Sequence, residues 1–367
     1  MYNSSFKYTL ADNVRVYSNG DNEYRIRKGI WNYEEAGLTL DAFNKNMRDA
    51  LVKIFNDMDE GIAVDIFDVM EEMQLTQDEK NLVERLMLQL QEQNYVVYEN
   101  DDFIKQLLYS LIGGSVINQF AGEVNMLKPV LFFADTEYIR DYAQTVAKQM
   151  SLPLTVMGEK EYKDLCEADL TTRFDAYDTK QKMEEFQKFI EPFYCIVGSF
   201  ERPHINFLRN LNRLLVDMSK PLTLSMMDGP FLSLLTIKPT ETGCIECFEN
   251  RVLARMQEMS AYRKFVAHTR KYAPMKEKTY ASPIIQAFTS LALFEGFLLS
   301  AIGRSKLAGR VLNMYIPIME IQIQDLMRVP FCPACGFIAQ AEMEEMYTSS
   351  KKIVGNIINK IMINNEI

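Results

Sequence analysis

The chain has 367 residues, of which 48% are hydrophobic and 25% charged, and its formal net charge is −10 at pH 7. This length allows two or three domains with substantial cores, and the composition is ordinary for a soluble globular protein. The acidic balance argues against general nucleic-acid binding, which needs a basic surface, and MYNSSFKYTL lacks the pattern of a signal peptide, so a cytoplasmic protein is expected.

Residues 1–100 are predicted to hold strands followed by helices. Asn13–Ser18 and Glu23–Lys28 alternate polar and apolar residues around a turn signal, and a third extended piece is predicted at Ile30–Ala36. Helical periodicity then predicts three helices, and Tyr95–Tyr98 closes the unit as a short strand. The first helix has the apolar face Phe43, Met47, Leu51 and Ile54, and the second has Ile62, Ile66, Val69 and Met73. Thr76 and Glu79 form a capping box that begins the third helix, whose apolar face is Leu82, Leu86 and Leu90. Three strands and three helices predict a compact winged-helix-like module.

Strands and helices alternate from about residue 105 onwards. The predicted strands are Pro129–Ala134, Leu152–Met157, Phe193–Phe200 and Pro221–Met226, with helical periodicity between them. Such alternation predicts a mainly parallel sheet covered by helices. The charged segment 159–190 is expected to be a helical excursion or a mobile loop. The most membrane-like window, 282–303, contains Gln286 and Glu295 and is therefore predicted to be a buried helix, so no membrane contact is expected.

Six cysteines in a cytoplasmic chain of this size do not indicate a disulfide framework. Four form two CxxC pairs, Cys244 with Cys247 in TGCIECF and Cys332 with Cys335 in RVPFCPACG. Four thiolates from two such knuckles match a closed tetrahedral zinc site, one ion per chain, in a structural role. The alternatives are a redox dithiol and unrelated core thiols, although a thioredoxin-type pair belongs at a helix start after an early strand.

The remaining cysteines and the two histidines suggest no catalytic site. Cys195, in the apolar run FYCIVGSF, is expected to be a small core residue, and Cys166 has no assigned role. His204 and His268 are expected to be structural or solvated. No Ser/His/Asp or Cys/His arrangement is evident.

The first strand of the sheet domain lacks the glycine loop that nucleotide-binding folds place after it. It runs into Asp135-Thr136-Glu137, and no glycine occurs between Gly122 and Gly158. Two carboxylates at a helix N-terminus would repel a phosphate there. The sequence therefore predicts that this domain does not bind ATP in the usual place.

These features together resemble a known family. A strand is followed by an Asp228-Gly229 turn, Pro239 to Cys247 reads Pro-x-x-x-Gly-Cys-x-x-Cys, and Arg328 to Gly336 reads Arg-x-Pro-x-Cys-Pro-x-Cys-Gly. The chain is similar to the ThiF-like (ocin-ThiF) partner proteins of YcaO-family cyclodehydratases, which make thiazole/oxazole-modified peptides, thiopeptides among them. The resemblance implies a PqqD-like RiPP recognition element over residues 1–100. Residues 101–367 would form a ThiF-like, Rossmann-type α/β domain with zinc knuckles at 244–247 and 332–335.

The resemblance also implies a peptide site and partners. The leader of a ribosomal precursor peptide would add a strand to the third strand and pack against the third helix. The implied contacts are Arg25, Arg27, Ile30, Trp31, Asn32, Tyr33, Leu82, Arg85, Leu86 and Leu90. The three leucines can equally be core residues of the module. The basic residues Arg25 and Arg27, together with Lys28, can equally form a solvent-exposed strand face. Expected partners are the precursor peptide, a separate YcaO cyclodehydratase that binds ATP, an azoline dehydrogenase and a second copy in a homodimer. No YcaO domain is expected to be fused to residues 1–367, so the cyclodehydratase is expected to be a separate polypeptide.

Three functional hypotheses therefore stand. The first is a non-catalytic peptide-binding scaffold that activates a cyclodehydratase. The second is a ThiF-like adenylyltransferase acting on the C-terminus of a peptide or sulfur carrier, which the missing glycine loop disfavours. The third is a winged-helix transcription regulator, which the acidic charge disfavours.

Overall fold

Two compact units make up the chain, Met1–Val124 and Asn125–Ile367. The computed structural model describes residues 7–20, 22–31, 33–99, 127–171, 176–272 and 282–336, and helices and strands are numbered along these residues.

Two small antiparallel sheets and three helices form the N-terminal unit. A meander joins strands β2 (Val14–Ser18), β3 (Glu23–Lys28) and β4 (Glu34–Thr39). In the second sheet, β1 (Lys7–Leu10) lies between β5 (Val64–Asp65) and β6 (Val96–Tyr98). The helices are α1 (Lys45–Asp59), α2 (Ile66–Glu72) and α3 (Gln77–Glu92).

Local capping and one apolar cluster hold this unit together. The Asn44 side chain accepts a hydrogen bond from the Met47 N–H at the start of α1, and the predicted Thr76/Glu79 capping box opens α3. Leu51 and Phe55 of α1 are fully buried in the same cluster as Ile26 and Met87. The unit therefore has its own core.

Several predictions for this unit were wrong in detail. The third strand is Glu34–Thr39 instead of Ile30–Ala36, because Gly29, at φ +89°, ends β3 and a longer turn follows. Strands β1 and β5 were not predicted. Ile62 lies in the turn before α2 and is exposed. The buried face of α3 is Val83, Met87 and Leu90 instead of Leu82, Leu86 and Leu90, since two apolar stripes lie side by side on this helix.

A seven-stranded sheet forms the second unit, in the order β13-β12-β11-β10-β9-β7-β8. Strands β7 (Val130–Ala134), β8 (Leu154–Val156), β9 (Cys195–Phe200) and β10 (Leu222–Asp228) are parallel. Strands β11 (Phe231–Ile237), β12 (Arg310–Tyr315) and β13 (Glu320–Asp325) continue the sheet in antiparallel order. The predicted mainly parallel sheet is confirmed, although these three antiparallel strands were not foreseen.

The helices of this unit cover the sheet. They are α4 (Glu137–Gln149), α5 (Glu159–Glu167), α6 (Ala176–Ile190), α7 (Ile205–Met218), α8 (Ile245–Leu253), α9 (Met259–His268) and α10 (Ser282–Ile302). Helices α5 and α6 show that the charged segment 159–190 is a helical excursion.

Helix α10 is the apolar helix that the sequence placed in the core. Pro283–Ile302 is long and apolar enough to cross a membrane, the one such stretch among the described residues, but 67% of it is buried inside the protein. It packs against β9 and β10, and its Glu295 carboxylate accepts a hydrogen bond from Ser305. It is therefore a core helix of an α/β domain.

Candidate functional site

The four paired cysteines meet at one buried point. Cys244 is the N-cap of α8 and Cys247 lies in its first turn, whereas Cys332 and Cys335 lie in the loop after β13. The Sγ–Sγ distances are 3.8 Å from Cys244 to Cys247, 3.5 Å from Cys244 to Cys332 and 3.4 Å from Cys247 to Cys335. All four sulfur atoms lie within 4.8 Å of one another, so this set could hold a metal ion.

The sulfur geometry fits a tetrahedral ion. With metal–sulfur bonds of ~2.3 Å, as zinc makes, the edges of a regular tetrahedron of sulfur atoms are ~3.8 Å long. The observed separations lie close to this value. Among the residues that the structure describes, this is the only group of three or more His, Cys, Asp or Glu ligand atoms so arranged.

Close backbone approaches explain the glycine beside each pair. A Cβ atom at Gly243 would lie 2.8 Å from the Met327 carbonyl oxygen and 2.9 Å from that of Leu326. A Cβ atom at Gly336 would lie 2.5 Å from the Cys332 carbonyl oxygen. The Gly243 N–H also donates to the Leu326 carbonyl at 3.0 Å. Gly243 thus lets the first knuckle approach the backbone that leads into the second, and Gly336 lets the second knuckle fold back on itself.

Two neighbouring residues of α7 support the thiols, and sequence inspection missed both. Asn212 accepts from the Ile245 N–H at 3.0 Å and donates to the Cys244 sulfur at 3.5 Å. Arg213 binds Glu246 of the first knuckle through Nε–Oε1 (2.7 Å) and Nη2–Oε2 (2.9 Å), and also donates to the Pro333 carbonyl of the second. One side chain thus connects both halves of the cluster.

The cluster cysteines differ electrostatically from the other two. Hydrogen bonds from Cys244 and the other thiols lower the pKa of Cys247, and the Val329 N–H also donates to its sulfur at 3.3 Å. Burial instead raises the pKa of Cys166 and that of Cys195 to about 12. Burial thus keeps Cys166 and Cys195 as neutral thiols, whereas hydrogen bonds among the cluster thiols favour the thiolate of Cys247 and raise the pKa of Cys244 and of Cys335.

Replacing Arg213 by methionine is expected to weaken metal binding about 10- to 100-fold, which is the usual effect of losing an outer-shell partner of a metal ligand. Methionine keeps the volume but leaves the buried Glu246 carboxylate without its cation. The measurement is competition for zinc with a chromophoric chelator. Arg209→Met is the matched control, because Arg209 forms an equivalent bidentate pair with Glu249 and touches neither knuckle. Equal losses in both variants would contradict a specific role for Arg213.

A second polar site lies at the carboxyl ends of the parallel strands. The chain goes from β7 to β8 on one side and then to β9 on the other, so the switch point where such sheets bind ligands lies between β7 and β9. Asp135, directly after β7, spans this point. Its carboxylate accepts hydrogen bonds from the Glu201 N–H (3.1 Å) and the Arg202 N–H (2.6 Å), both after β9.

A cluster of buried aromatic rings packs on the sheet at β7 and β9. The Phe207 ring centroid lies 4.5 Å from that of Tyr162, 5.4 Å from Phe200 and 5.3 Å from Phe133. All four side chains are essentially inaccessible to solvent. His204 caps α7 by accepting from the Phe207 N–H, which agrees with its expected structural role, and His268 lies exposed in the last turn of α9. At the switch point itself, the Asp135 carboxylate joins the end of β7 to the residues that follow β9.

Asp135 should make stability depend on pH. Burial raises the pKa of Asp135 from 3.8 to about 6, against the lowering effect of its two backbone hydrogen bonds. A carboxyl whose pKa is higher in the folded state stabilises the fold at low pH, and this contribution disappears as pH rises through about 6. Between about pH 5 and pH 7 the free energy of unfolding should therefore fall by roughly 1 kcal/mol more in the wild type than in Asp135→Asn. Urea denaturation at both pH values tests this, and parallel pH profiles would contradict it.

An open strand edge is the main feature of the N-terminal unit. β4 ends the order β2-β3-β4, so among the described residues no strand pairs with its outer edge. Leu40 donates to the Asn22 carbonyl, and Tyr24 pairs with Leu38, which places the N–H groups of even-numbered β4 residues toward β3. The N–H and C=O groups of Glu35, Gly37 and Thr39 therefore point outward.

The basic residues expected to attract a leader are already paired. Arg25 lies 2.7 Å from Glu23 and 3.0 Å from Glu35, and Arg27 lies 3.6 Å from Glu35. The Arg27 guanidinium also stacks on the Tyr33 ring, 3.7 Å from its centroid. Lys28 lies 3.9 Å from Glu34. The basic side chains are thus ion-paired with neighbouring glutamates and do not form a free cationic patch.

The other residues of the expected peptide site are divided between turn and helix. Ile30, Trp31 and Tyr33 lie in the turn between β3 and β4 and are exposed, Trp31 at 93%, while Asn32 lies outside the described residues. On α3, Leu82 and Arg85 are exposed and Leu86 is half-buried. Leu90 is buried in the core of the unit, as the alternative interpretation held.

No protein-family model matches the sequence, and no curated protein is significantly similar to it. Solved structures share its fold. A heterocyclase in complex with substrate and cofactor matches 90% of this chain at a TM-score of 0.59 and 13% identity, and the heterocyclase TruD matches 90% at 0.57 and 16%. This chain covers only 40% and 43% of those two proteins. E. coli MccB, at a TM-score of 0.47 and 13% identity, is a looser likeness.

These likenesses concern the fold alone. Together with the structure, the two heterocyclase likenesses confirm the expected fold class, an N-terminal module of strands and helices followed by a mainly parallel α/β domain, and the structure adds the buried four-cysteine cluster.

Proposed function

We propose that this protein is the leader-binding scaffold and activating subunit of an ATP-dependent cyclodehydratase. The complex would convert Cys, Ser or Thr residues of a ribosomal precursor peptide to azolines. The subunit would deliver the peptide to a separate YcaO-family enzyme and would catalyse nothing alone. The observation that carries the proposal is the heterocyclase-like fold over 90% of the chain, combined with an open strand edge and an occupied switch point.

Peptide capture is assigned to the open edge of β4. The outward N–H and C=O groups of Glu35, Gly37 and Thr39 can pair with an extended peptide, and such pairing is a recurrent way to bind peptides of variable sequence. The exposed turn residues Ile30, Trp31 and Tyr33 stand at one end of this edge. Trp, Tyr and Arg dominate binding hot spots, and the turn offers the first two, with Arg27 stacked on Tyr33.

A supporting role is assigned to the sheet domain. The Asp135 side chain bridges the switch point where related sheets hold a ligand, and its carboxylate would repel a phosphate. This arrangement favours a partner that binds ATP and activates the peptide amide. It disfavours the adenylyltransferase hypothesis, in which this domain itself would hold the nucleotide.

The metal is assigned as one structural zinc ion on Cys244, Cys247, Cys332 and Cys335. Zinc suits a closed set of four thiolates, and iron–sulfur clusters are the main alternative for such ligands. When bound, the ion would hold the loop after β13 against α8. All four ligand positions would be filled by protein, so the ion would not activate water or substrate.

Reconstitution tests the proposal. The protein is mixed with ATP, the YcaO-family protein and the precursor peptide encoded nearest to its own gene, and loss of water from the peptide is followed by mass spectrometry. Dehydration should require both proteins and ATP. Peptide adenylation by this protein alone, or full YcaO activity without it, would refute the assigned role.

A further inference from the structure

A cleft of about 280 Å³ opens on the surface of the second unit, between helices α7, α8 and α9 and the second cysteine knuckle. Side chains of both charge signs line it: Arg209 and Arg213 of α7, Glu246 and Glu249 of α8, and Tyr262 and Arg263 of α9. Its volume lies at the lower end of the ~300–1,000 Å³ that is usual for ligand pockets. The cleft therefore suits one or two side chains of a larger ligand better than a nucleotide.

The charges of the α7 and α8 walls cancel each other. Arg209 donates to Glu249 through Nε–Oε2 (2.9 Å) and Nη2–Oε1 (2.6 Å), and the Tyr262 hydroxyl donates to the same carboxylate. Arg213 binds Glu246 in the same bidentate way. Both carboxylates thus already have a charged partner, and neither needs a further cation.

Arg263 is the cation that these pairs leave over. It is exposed on α9, forms no ion pair among the described residues, and places Nη2 3.7 Å from the Met259 sulfur, which is a weak acceptor. A guanidinium with free N–H groups can bind a carboxylate through two parallel hydrogen bonds. A singly charged carboxylate fits this cleft better than a doubly charged phosphate, because the two glutamates in the other walls would repel the additional charge.

The segment around the cleft is basic in an otherwise acidic protein. Residues 251–271 contain six Lys or Arg residues and one acidic residue, Glu258, although the net charge of the whole chain is −10. Arg270 pairs with Asp169, and the other five basic residues have no ion pair in the part of the chain that the structure describes. Such a local excess of positive charge attracts acidic ligands.

Exposed apolar side chains adjoin the charged cleft. Met259 is 43% exposed and contacts Arg263, and Phe265 is 56% exposed with its ring centroid 6.5 Å from that of Tyr262. A small carboxylate bound at Arg263 would leave both side chains uncovered. A peptide that carries apolar residues beside its carboxylate would cover them.

We propose that this cleft is a docking site for an acidic segment of a peptide. One carboxylate side chain of the segment pairs with Arg263, and its apolar neighbours cover Met259 and Phe265. Charge complementarity selects this occupant, since the cleft offers one unpaired guanidinium within a basic segment. The inference does not depend on the proposed function, because it concerns only the second unit and a ligand of stated chemistry.

Fluorescence anisotropy of a short labelled peptide in which Glu and Leu alternate tests the site. The wild type should bind this probe at least about tenfold more tightly than the counterpart with Gln in place of Glu, and Arg263→Gln should remove most of the difference. Lys264→Gln is the matched control, because it makes the same charge change at the next residue of α9, which does not line the cleft. It should cost less than about twofold. Circular dichroism and metal content show that the variants fold.

A second variant and a competitor separate a peptide site from a site for small acids. Phe265→Ala should weaken binding of the Glu peptide about threefold or more, because the exposed ring loses its apolar cover. Free N-acetylglutamate should displace the peptide only at a much higher concentration than the unlabelled peptide does. Equal losses in Arg263→Gln and Lys264→Gln, equal affinities of the wild type for the Glu and Gln peptides, or equally effective displacement by N-acetylglutamate would overturn the proposal.

Discussion

Replacing Cys244 by serine is expected to release the bound metal and to lower the melting temperature by on the order of 10 °C or more. The four thiols converge from two segments that are 88 residues apart, so a bound ion would join distant parts of the chain. Binding of a structural zinc ion is worth roughly 10–16 kcal/mol in small peptides, so a site with one ligand missing loses a large share of this stabilisation. Metal analysis and calorimetry of the variant measure both effects.

A chelator and a second cysteine variant control this experiment. Wild-type protein treated with excess chelator should melt near the temperature of Cys244→Ser, whereas the variant should not respond to the chelator. Cys195→Ser should keep its metal, because the Cys195 sulfur lies near the Gly296 carbonyl instead of the cluster. If the purified wild type contains no zinc, or if Cys244→Ser changes neither metal content nor melting temperature, the metal assignment fails.

Replacing Gly37 by proline is expected to weaken leader binding about tenfold or more. Proline removes the one outward N–H at the centre of the β4 edge, and its ring also blocks the approach of a peptide backbone. A net hydrogen bond is worth about 0.5–1.5 kcal/mol, and leaving the peptide carbonyl unpaired in the interface adds a similar cost. Anisotropy of a fluorescent leader from the neighbouring precursor gene, titrated with the full chain, measures the change.

Gly37→Ala is the matched control because it keeps the N–H. A Cβ atom at this position would lie 3.3 Å from Glu23 Oε1, at the end of a flexible side chain, so alanine should bind nearly as the wild type does. Trp31 supplies a second readout, since it is the only tryptophan in the chain and is exposed. Its emission should shift to shorter wavelength when a leader covers the turn. Equal affinities for Gly37→Pro and Gly37→Ala would place the peptide elsewhere.

Patterns confined to short stretches of sequence predicted their structures well. The CxxC spacing and the adjoining glycines identified the four thiols that meet, because each knuckle is a local feature. The Thr76/Glu79 capping box and the apolar runs of β7 and β9 were likewise readable from neighbouring residues. The composition of the loop at Asp135 predicts that it does not hold a phosphate, and this stays a prediction.

Features that depend on distant partners were missed. Asn212 and Arg213 look like ordinary polar residues of α7, and nothing in their neighbourhood indicates that they reach Cys244 and Pro333. The shift of the third strand to Glu34–Thr39 follows from cross-strand register, which Ile30–Ala36 does not encode by itself. On α3, Leu82 and Val83 are both apolar, and only tertiary packing decides which one is buried.

The 88-residue separation of Cys244 and Cys332 has a consequence for how the protein is made. Closing so long a loop is entropically costly before native contacts reward it, so the knuckles should join late in folding. During synthesis the N-terminal unit and the parallel strands leave the ribosome first, while β12, β13 and the second knuckle follow. Until β12 and β13 have joined the sheet, β11 would stand open as an aggregation-prone edge. If the proposed zinc assignment holds, zinc supply during translation would affect the yield of folded protein, independently of any effect on the finished protein.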